Sequence, residues 1–183
     1  IELCENCNLN SVNWQSQNSN TSQTILGIHF IDRDNGWICG NNGLVKKTTN
    51  RGQTWETVSL ETFGNDMYEI EFTDENHGFM AGTAGQFWYT SNGGQTWNRA
   101  NTNFNFDLWD MDFVSSESGW AVGPVGRIFK TEDGGRNWTQ QVSGVTSDLY
   151  GVSFVNKYFG WVVGLNGTLL FTEDGGNSWS DLD

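Results

Sequence analysis

The chain has 183 residues and a formal net charge of −13 at pH 7, from 22 acidic and 9 basic residues. This balance disfavours nucleic acid and anionic membranes as partners, because both attract proteins through a cationic surface. Ten Trp, 23 Gly and a single Pro favour many short strands joined by glycine turns, and no apolar run is long enough for a transmembrane helix.

The N-terminal residues show no periodicity. Residues 1–10 form a lead-in with one C-x-x-C, Cys4 and Cys7, for which we expect a local disulfide in an oxidising compartment, with free thiols and a metal site as alternatives. Residues 11–24 are polar around Trp14, which precedes Trp55 by 41 residues. We expect the segment at Trp14 to be an outer strand detached from its own repeat.

From residue 25 onward the chain repeats. An eight-residue box closes with a tryptophan four times, at intervals of 42, 41 and 41 residues, and a period of this length is typical of repeat architectures. Asn or Asp binds the amides of a tight turn, Gly accepts its positive φ, and the indole fills the space beneath. We therefore predict structural rather than catalytic roles for the box residues Asn50, Gly52, Trp55, Asn92, Gly94, Trp97, Asp133, Gly135, Trp138, Asp174, Gly176 and Trp179.

Each repeat predicts four strands. The first alternates apolar and polar residues, as in 67–72; the second is a Gly-aromatic motif, as in 119–123; a glycine turn leads to the third, which enters the box; and the fourth begins at the box Trp. Four antiparallel strands per repeat predict an all-β fold, a propeller in which each repeat is one blade. We place a single domain at 11–183, with repeats at about 25–62, 67–103, 108–145 and 149–183.

These motifs carry a family resemblance. The box resembles the Asp-box, or bacterial neuraminidase repeat. Together with the Gly-aromatic motif, for example Gly119-Trp120-Ala121-Val122-Gly123, it is similar to the photosystem II assembly/stability factor family and its secreted non-photosynthetic relatives. The resemblance covers residues 25 to 179 or so and implies a β-propeller without implying one activity.

The number of repeats leaves the closure of the propeller open. Four blades can form a small ring, which the Trp14 strand would close by pairing with the last blade. They can also form an open fan that another chain completes, or a fragment of a longer propeller. Cys39 shares its position with Ala81, Val122 and Val163, so we expect a buried apolar residue there.

Two groups of side chains differ between repeats in ways that the scaffold does not require. The polar positions of the first strands hold His29, Glu69, Glu71, Asp110 and Asp112. We expect them to bond neighbouring strands; the alternatives are a site for a calcium ion, which prefers oxygen ligands, and acid/base catalysis by paired carboxylates.

The second group is aromatic: Phe104 and Phe106 in the linker, with Tyr68, Trp109 and Tyr150 at the first strands. Such rings suit stacking on sugars or capture of a peptide, and the alternative is ordinary packing between blades.

We therefore predict a non-enzymatic interaction or assembly module that is secreted, periplasmic or on the cell surface. It would bind a protein or glycan through the rim or channel, would need no cofactor, and would self-associate if the ring is open. The alternatives are a polysaccharide-active enzyme that uses the first-strand carboxylates and a structural subunit of a larger surface assembly.

Overall fold

The computed structural model describes residues 16–60, 64–100, 102 and 104–182. The predictions for Cys4, Cys7 and the Trp14 strand lie outside these residues. No helix in the described ranges has the length and apolar character needed to span a bilayer.

The described chain forms four sheets of four strands, and in each sheet the strands pair antiparallel in chain order. This confirms the predicted all-β propeller architecture, one sheet per blade. The strands are β1 (Ile25–Phe30), β2 (Gly36–Gly40), β3 (Val45–Thr48) and β4 (Glu56–Thr57) in blade 1; β5 (Met67–Phe72), β6 (Gly78–Gly82), β7 (Phe87–Thr90) and β8 (Asn98–Arg99) in blade 2; β9 (Asp110–Phe113), β10 (Gly119–Val122), β11 (Arg127–Thr131) and β12 (Thr139–Val142) in blade 3; and β13 (Leu149–Phe154), β14 (Gly160–Gly164), β15 (Leu169–Thr172) and β16 (Ser180–Asp181) in blade 4.

The first strands of successive blades, β1, β5, β9 and β13, lie against one another and line the inner side of the molecule. We call them the inner strands. Three of them carry a register shift near the start, between Ile25 and Gly27, Met67 and Glu69, and Leu149 and Gly151. Such a bulge leaves one extra residue out of the ladder and redirects its side chain.

The hydrophobic core consists of three clusters, each formed where two blades meet. One blade contributes the aromatic residue of its Gly-aromatic motif, and the next contributes the Phe that ends its inner strand. The two rings stack at every junction. The pairs are Trp37 with Phe72, Phe79 with Phe113 and Trp120 with Phe154, with ring centroids 3.8, 3.6 and 3.5 Å apart.

The turns after the second strands require glycine at their last residue. Asn41–Gly43, Thr83–Gly85 and Leu165–Gly167 are single 3-10 turns, and Gly85 has φ +67°. A Cβ at Gly85 would also meet the backbone of Phe104. The glycines of this turn thus serve both the hairpin and the close approach of the next linker.

The two end faces of the molecule remain uncovered. On the leading face, formed by Ile25, Ile28 and Phe30 of blade 1, Ile28 is 62% exposed, whereas its counterparts in the other blades are buried. On the trailing face, formed by Trp161 and Val163 of blade 4, Val163 is 48% exposed, whereas its counterparts are also buried. The four blades therefore form an open arc, and a ring closed within one molecule does not match this structure.

Candidate binding face on the inner strands

The four boxes are built alike. In the third box the buried Thr131 hydroxyl accepts the Gly135 amide at 2.9 Å, and Asp133 accepts the Asn137 amide at 2.8 Å. Threonine does the same at the other three boxes, with oxygen–nitrogen distances of 2.9, 3.1 and 2.8 Å. The Asn or Asp of each box is thus occupied by its own turn, which leaves the inner strands as the place where repeats differ.

The inner-strand carboxylates connect one blade to the next. Glu71 accepts the Phe113 amide at 3.1 Å, Asp110 accepts the Val152 amide at 2.8 Å, and Asp112 accepts the Phe154 amide. An inner strand has a free edge with unpaired amides, and the preceding blade satisfies these amides through its side chains. The contacts match the inter-strand bonding expected from the sequence.

Burial raises the pKa of these carboxyl groups. Desolvation is the main cause and repulsion from a neighbouring carboxylate adds to it, so the pKa of Glu71 rises to about 8 beside Asp112 and that of Glu69 to about 7 beside Asp110. Burial also raises the pKa of Asp110 to about 6, against the hydrogen bond from Val152. These groups can therefore hold protons near neutral pH, which lowers the cost of their proximity.

His29 occupies the same position in the first blade. Its half-buried ring lies 6.2 Å from the ring of Phe72, and burial lowers its pKa. Among the described residues, no group of three or more His, Cys, Asp or Glu side chains is placed to share a metal ion. The calcium site stays a prediction of the sequence without a coordinating cluster to support it.

Three aspartates that the sequence reasoning missed also join the blades. Asp66, Asp107 and Asp148 each precede an inner strand and accept an amide from a tight turn of the preceding blade. The donors are Asn42, Ala84 and Val125, at 2.8, 3.1 and 3.0 Å, and each has φ between 52° and 59°. Their spacing of 41 residues was the signal that could have identified them.

The inner strands also present a column of large side chains, one from each blade at the same repeat position: Leu26, Tyr68, Trp109 and Tyr150. We call this the bulge column, since three members are the extra residues of the register shifts. The rings of Trp109 and Tyr150 stack with centroids 5.0 Å apart, and Tyr150 is 50% exposed. The Tyr68 hydroxyl donates to Asp107 at 3.3 Å.

Phe104 and Phe106 lie elsewhere. Both pack on Phe129 of blade 3, with centroids 4.2 and 5.5 Å from its ring, and the Arg127 guanidinium lies 4.3 Å from the Phe106 ring centroid. They belong to the core cluster between blades 2 and 3, which is the packing alternative. The structure thus separates the predicted aromatic group into two exposed-side and packed sets.

The expected buried role of Cys39 agrees with its surroundings. Its side chain is fully buried, and burial raises the pKa of its thiol. A buried thiol with a raised pKa behaves as a small apolar group rather than a nucleophile.

Comparison with known proteins places these features in a family. A sequence profile described as photosynthesis system II assembly factor YCF48 matches residues 6–65, 50–140 and 97–183, so it covers nearly the whole chain. The chain belongs to this family. Family membership supports an assembly or binding role.

Individual relatives are more distant. The photosystem II assembly protein Ycf48 of Thermosynechococcus vestitus (strain NIES-2133 / IAM M-273 / BP-1) is 43% identical over 47 residues, which span 26% of this chain and 14% of that protein. The match therefore takes up about a seventh of the relative's length.

Two solved structures show the same fold. A YCF48 bound to a D1 peptide is 19% identical, with a TM-score of 0.61 over 90% of this chain and 83% of that one. An ancestral GH74 enzyme is 16% identical, with a TM-score of 0.73 over 90% of this chain and 26% of that one. At these identities the similarity concerns the fold alone.

Proposed function

We propose that this chain is a non-enzymatic assembly module that binds an extended segment of another protein along the bulge column. The observation that carries the proposal is the column itself: four large side chains at one repeat position on the inner strands, with the Trp109–Tyr150 stack at its exposed end. Stacked aromatic rings supply a rigid contact surface at low conformational cost, and such residues are enriched in binding hot spots.

The polar groups of the inner strands support a binding role over a catalytic one. Glu71, Asp110 and Asp112 each hold an amide of the next blade, so their carboxylates are engaged in the scaffold. An enzyme with paired carboxylates needs one of them free to protonate a leaving group and the other free to act as nucleophile or base. The side chains that stand ready for a ligand are the rings above them.

Charge narrows the class of partner. With a net charge of −13, the module attracts a basic or neutral segment and repels an acidic one. The YCF48 structure with a D1 peptide supports a peptide as the ligand class, since that propeller shares the fold. We place the module outside the cytoplasm, as the resemblance to secreted relatives implies.

The experiment compares two tyrosines of the same blade with equal exposure. Tyr150 is 50% exposed in the bulge column, and Tyr158 is 51% exposed outside the inner strand. The wild-type chain is first applied to an array of 15-residue peptides of basic, neutral and acidic composition, and affinities for the bound peptides are then measured by fluorescence anisotropy. We expect Tyr150→Ala to weaken binding by about tenfold, as for loss of one hot-spot ring, and Tyr158→Ala to leave it unchanged.

Equal affinities of Tyr150→Ala and the wild type, or no binding to any peptide of the array, would overturn the proposal. A panel of polysaccharides run with the same proteins tests the glycan alternative. Release of reducing ends that is lost in Glu71→Gln would restore the enzyme interpretation, because that change removes a carboxylate and keeps a hydrogen-bond acceptor.

A further inference from the structure

The contact that joins the blades is repeated three times inside the molecule and left half-made at each end. At each junction an aromatic residue of the second strand stacks on the final Phe of the next inner strand. The fourth such aromatic is Trp161 on the trailing face, and the remaining Phe is Phe30 on the leading face. Trp161 is 37% exposed, whereas its counterparts Trp37, Phe79 and Trp120 are buried.

Phe30 already has the setting of an internal interface residue. In the other blades the final Phe meets the box tryptophan of its own blade edge-on, with centroids 5.7, 6.1 and 5.9 Å apart. Phe30 meets Trp55 in the same way at 6.1 Å. The ring is therefore held in the orientation that receives a stacking partner, and only the partner differs.

The segment before blade 1 points to a preceding blade as well. The Gln141 amide, on the outer strand of blade 3, donates to the Gly175 carbonyl in the box of blade 4 at 3.0 Å. The Gln17 amide donates to the equivalent carbonyl of Arg51 in the box of blade 1, also at 3.0 Å. Gln17 precedes Gln141 by the three repeat lengths, so residue 17 occupies the place of an outer strand that belongs to a blade ahead of blade 1.

We propose that a second copy of this chain covers these faces, with the trailing face of each copy on the leading face of the other. Two such contacts close a ring of eight blades, which lies within the usual range for propellers. One molecule carries both complementary halves of an interface that it already forms three times, so a second copy continues that interface. A head-to-tail contact that closes gives a finite assembly.

The polar contacts of the seam would be fewer than those inside. Ser153 stands at the position of Glu71 and Asp112, and Thr24 stands at the position of Asp66, Asp107 and Asp148. Both keep a side-chain oxygen but lack the carboxylate that holds an amide at the internal junctions. The seam therefore depends on apolar contact, and we expect the two copies to exchange reversibly.

Light scattering coupled to size-exclusion chromatography, on the chain printed above at loads from micromolar to hundreds of micromolar, tests the proposal. A mass of two chains that falls to one on dilution supports it. A single chain at every load, or masses that grow without limit as in an open filament, would overturn it.

Single substitutions show whether the end faces form the contact. Ile28→Asp on the leading face and Val163→Asp on the trailing face place a charge in the seam, which is costly in a dry interface, and each should weaken dimerisation by at least about a hundredfold. The matched control is Val142→Asp, because Val142 is 84% exposed on β12, away from both faces. Since all three positions are exposed in the single chain, circular dichroism should show it folded in each variant.

A dimer that survives both face variants, or one that Val142→Asp dissociates as strongly, would contradict the assignment. The peptide-binding proposal is independent, since Tyr150→Ala alters the bulge column and leaves the end faces intact. Loss of peptide binding without loss of the dimer, or the reverse, therefore identifies which proposal fails.

Discussion

At the scale of single residues, the boxes depend on glycine for two separable reasons. Gly135 has φ +79°, a conformation that other residues adopt at a cost, and a Cβ there would overlap the ring of buried Phe87. Gly144 has nearly the same φ, +81°, but its Cβ would have no neighbour within 4 Å. The two positions thus share the backbone requirement and differ only in packing.

We expect Gly135→Ala to lower the free energy of unfolding by about 3 kcal/mol, from strain at positive φ together with overpacking. Gly144→Ala should lower it by about 1 kcal/mol, from the backbone term alone. Urea unfolding of the two variants measures the difference. Equal losses would show that the Phe87 contact places no constraint on the box.

At the scale of the strand, the inner edge is held together by groups that prefer to be neutral. Glu71 is more acidic in the unfolded chain than in the folded one, where its pKa is about 8. The folded state therefore binds more protons, and the stability that this group contributes is fully present below the unfolded pKa, near 4.5. It is lost progressively as the pH rises through 8.

Glu71→Gln tests this sign. The amide oxygen can still accept the Phe113 amide, but no charge forms, so the variant should exceed the wild type by about 1–3 kcal/mol in unfolding free energy at pH 8.5 and approach it at pH 4.5. Urea unfolding across this pH range measures it, with Glu173→Gln, an exposed glutamate of the last box, as the control. A variant less stable than the wild type at pH 8.5 would show that the carboxylate is needed in its charged form.

The sequence predicted what is local and what repeats. The boxes follow from Asp, Asn and Gly chemistry within eight residues, and the blades follow from alternation and period. The partners of Glu71 and Asp112 lie 42 residues away, so composition showed only that acidic groups would gather. Phe104 and Phe106 were grouped with Tyr150 because linker aromatics look alike in sequence, whereas Phe129, which they pack against, sits on another blade.

At the scale of the whole molecule, the sequence left the closure of the ring undecided because every repeat carries the same interface residues. Burial decides it: Trp120 is buried between blades and Trp161 lies 37% exposed at the trailing face. The same side chain at the same repeat position thus has a neighbour in one case and none in the other. The account holds that the blades are joined by one recurring aromatic contact and that the single chain leaves its two end faces open.

The most direct measurement compares Trp120→Ala with Trp161→Ala in urea unfolding, at a dilution where light scattering shows single chains. Removing Trp120 deletes a ring stacked on Phe154 at 3.5 Å and should cost about 3–5 kcal/mol. Removing Trp161, which has no blade beyond it, should cost about 1 kcal/mol or less. Equal losses from the two substitutions would mean that Trp161 is covered within one molecule and would contradict the open arc.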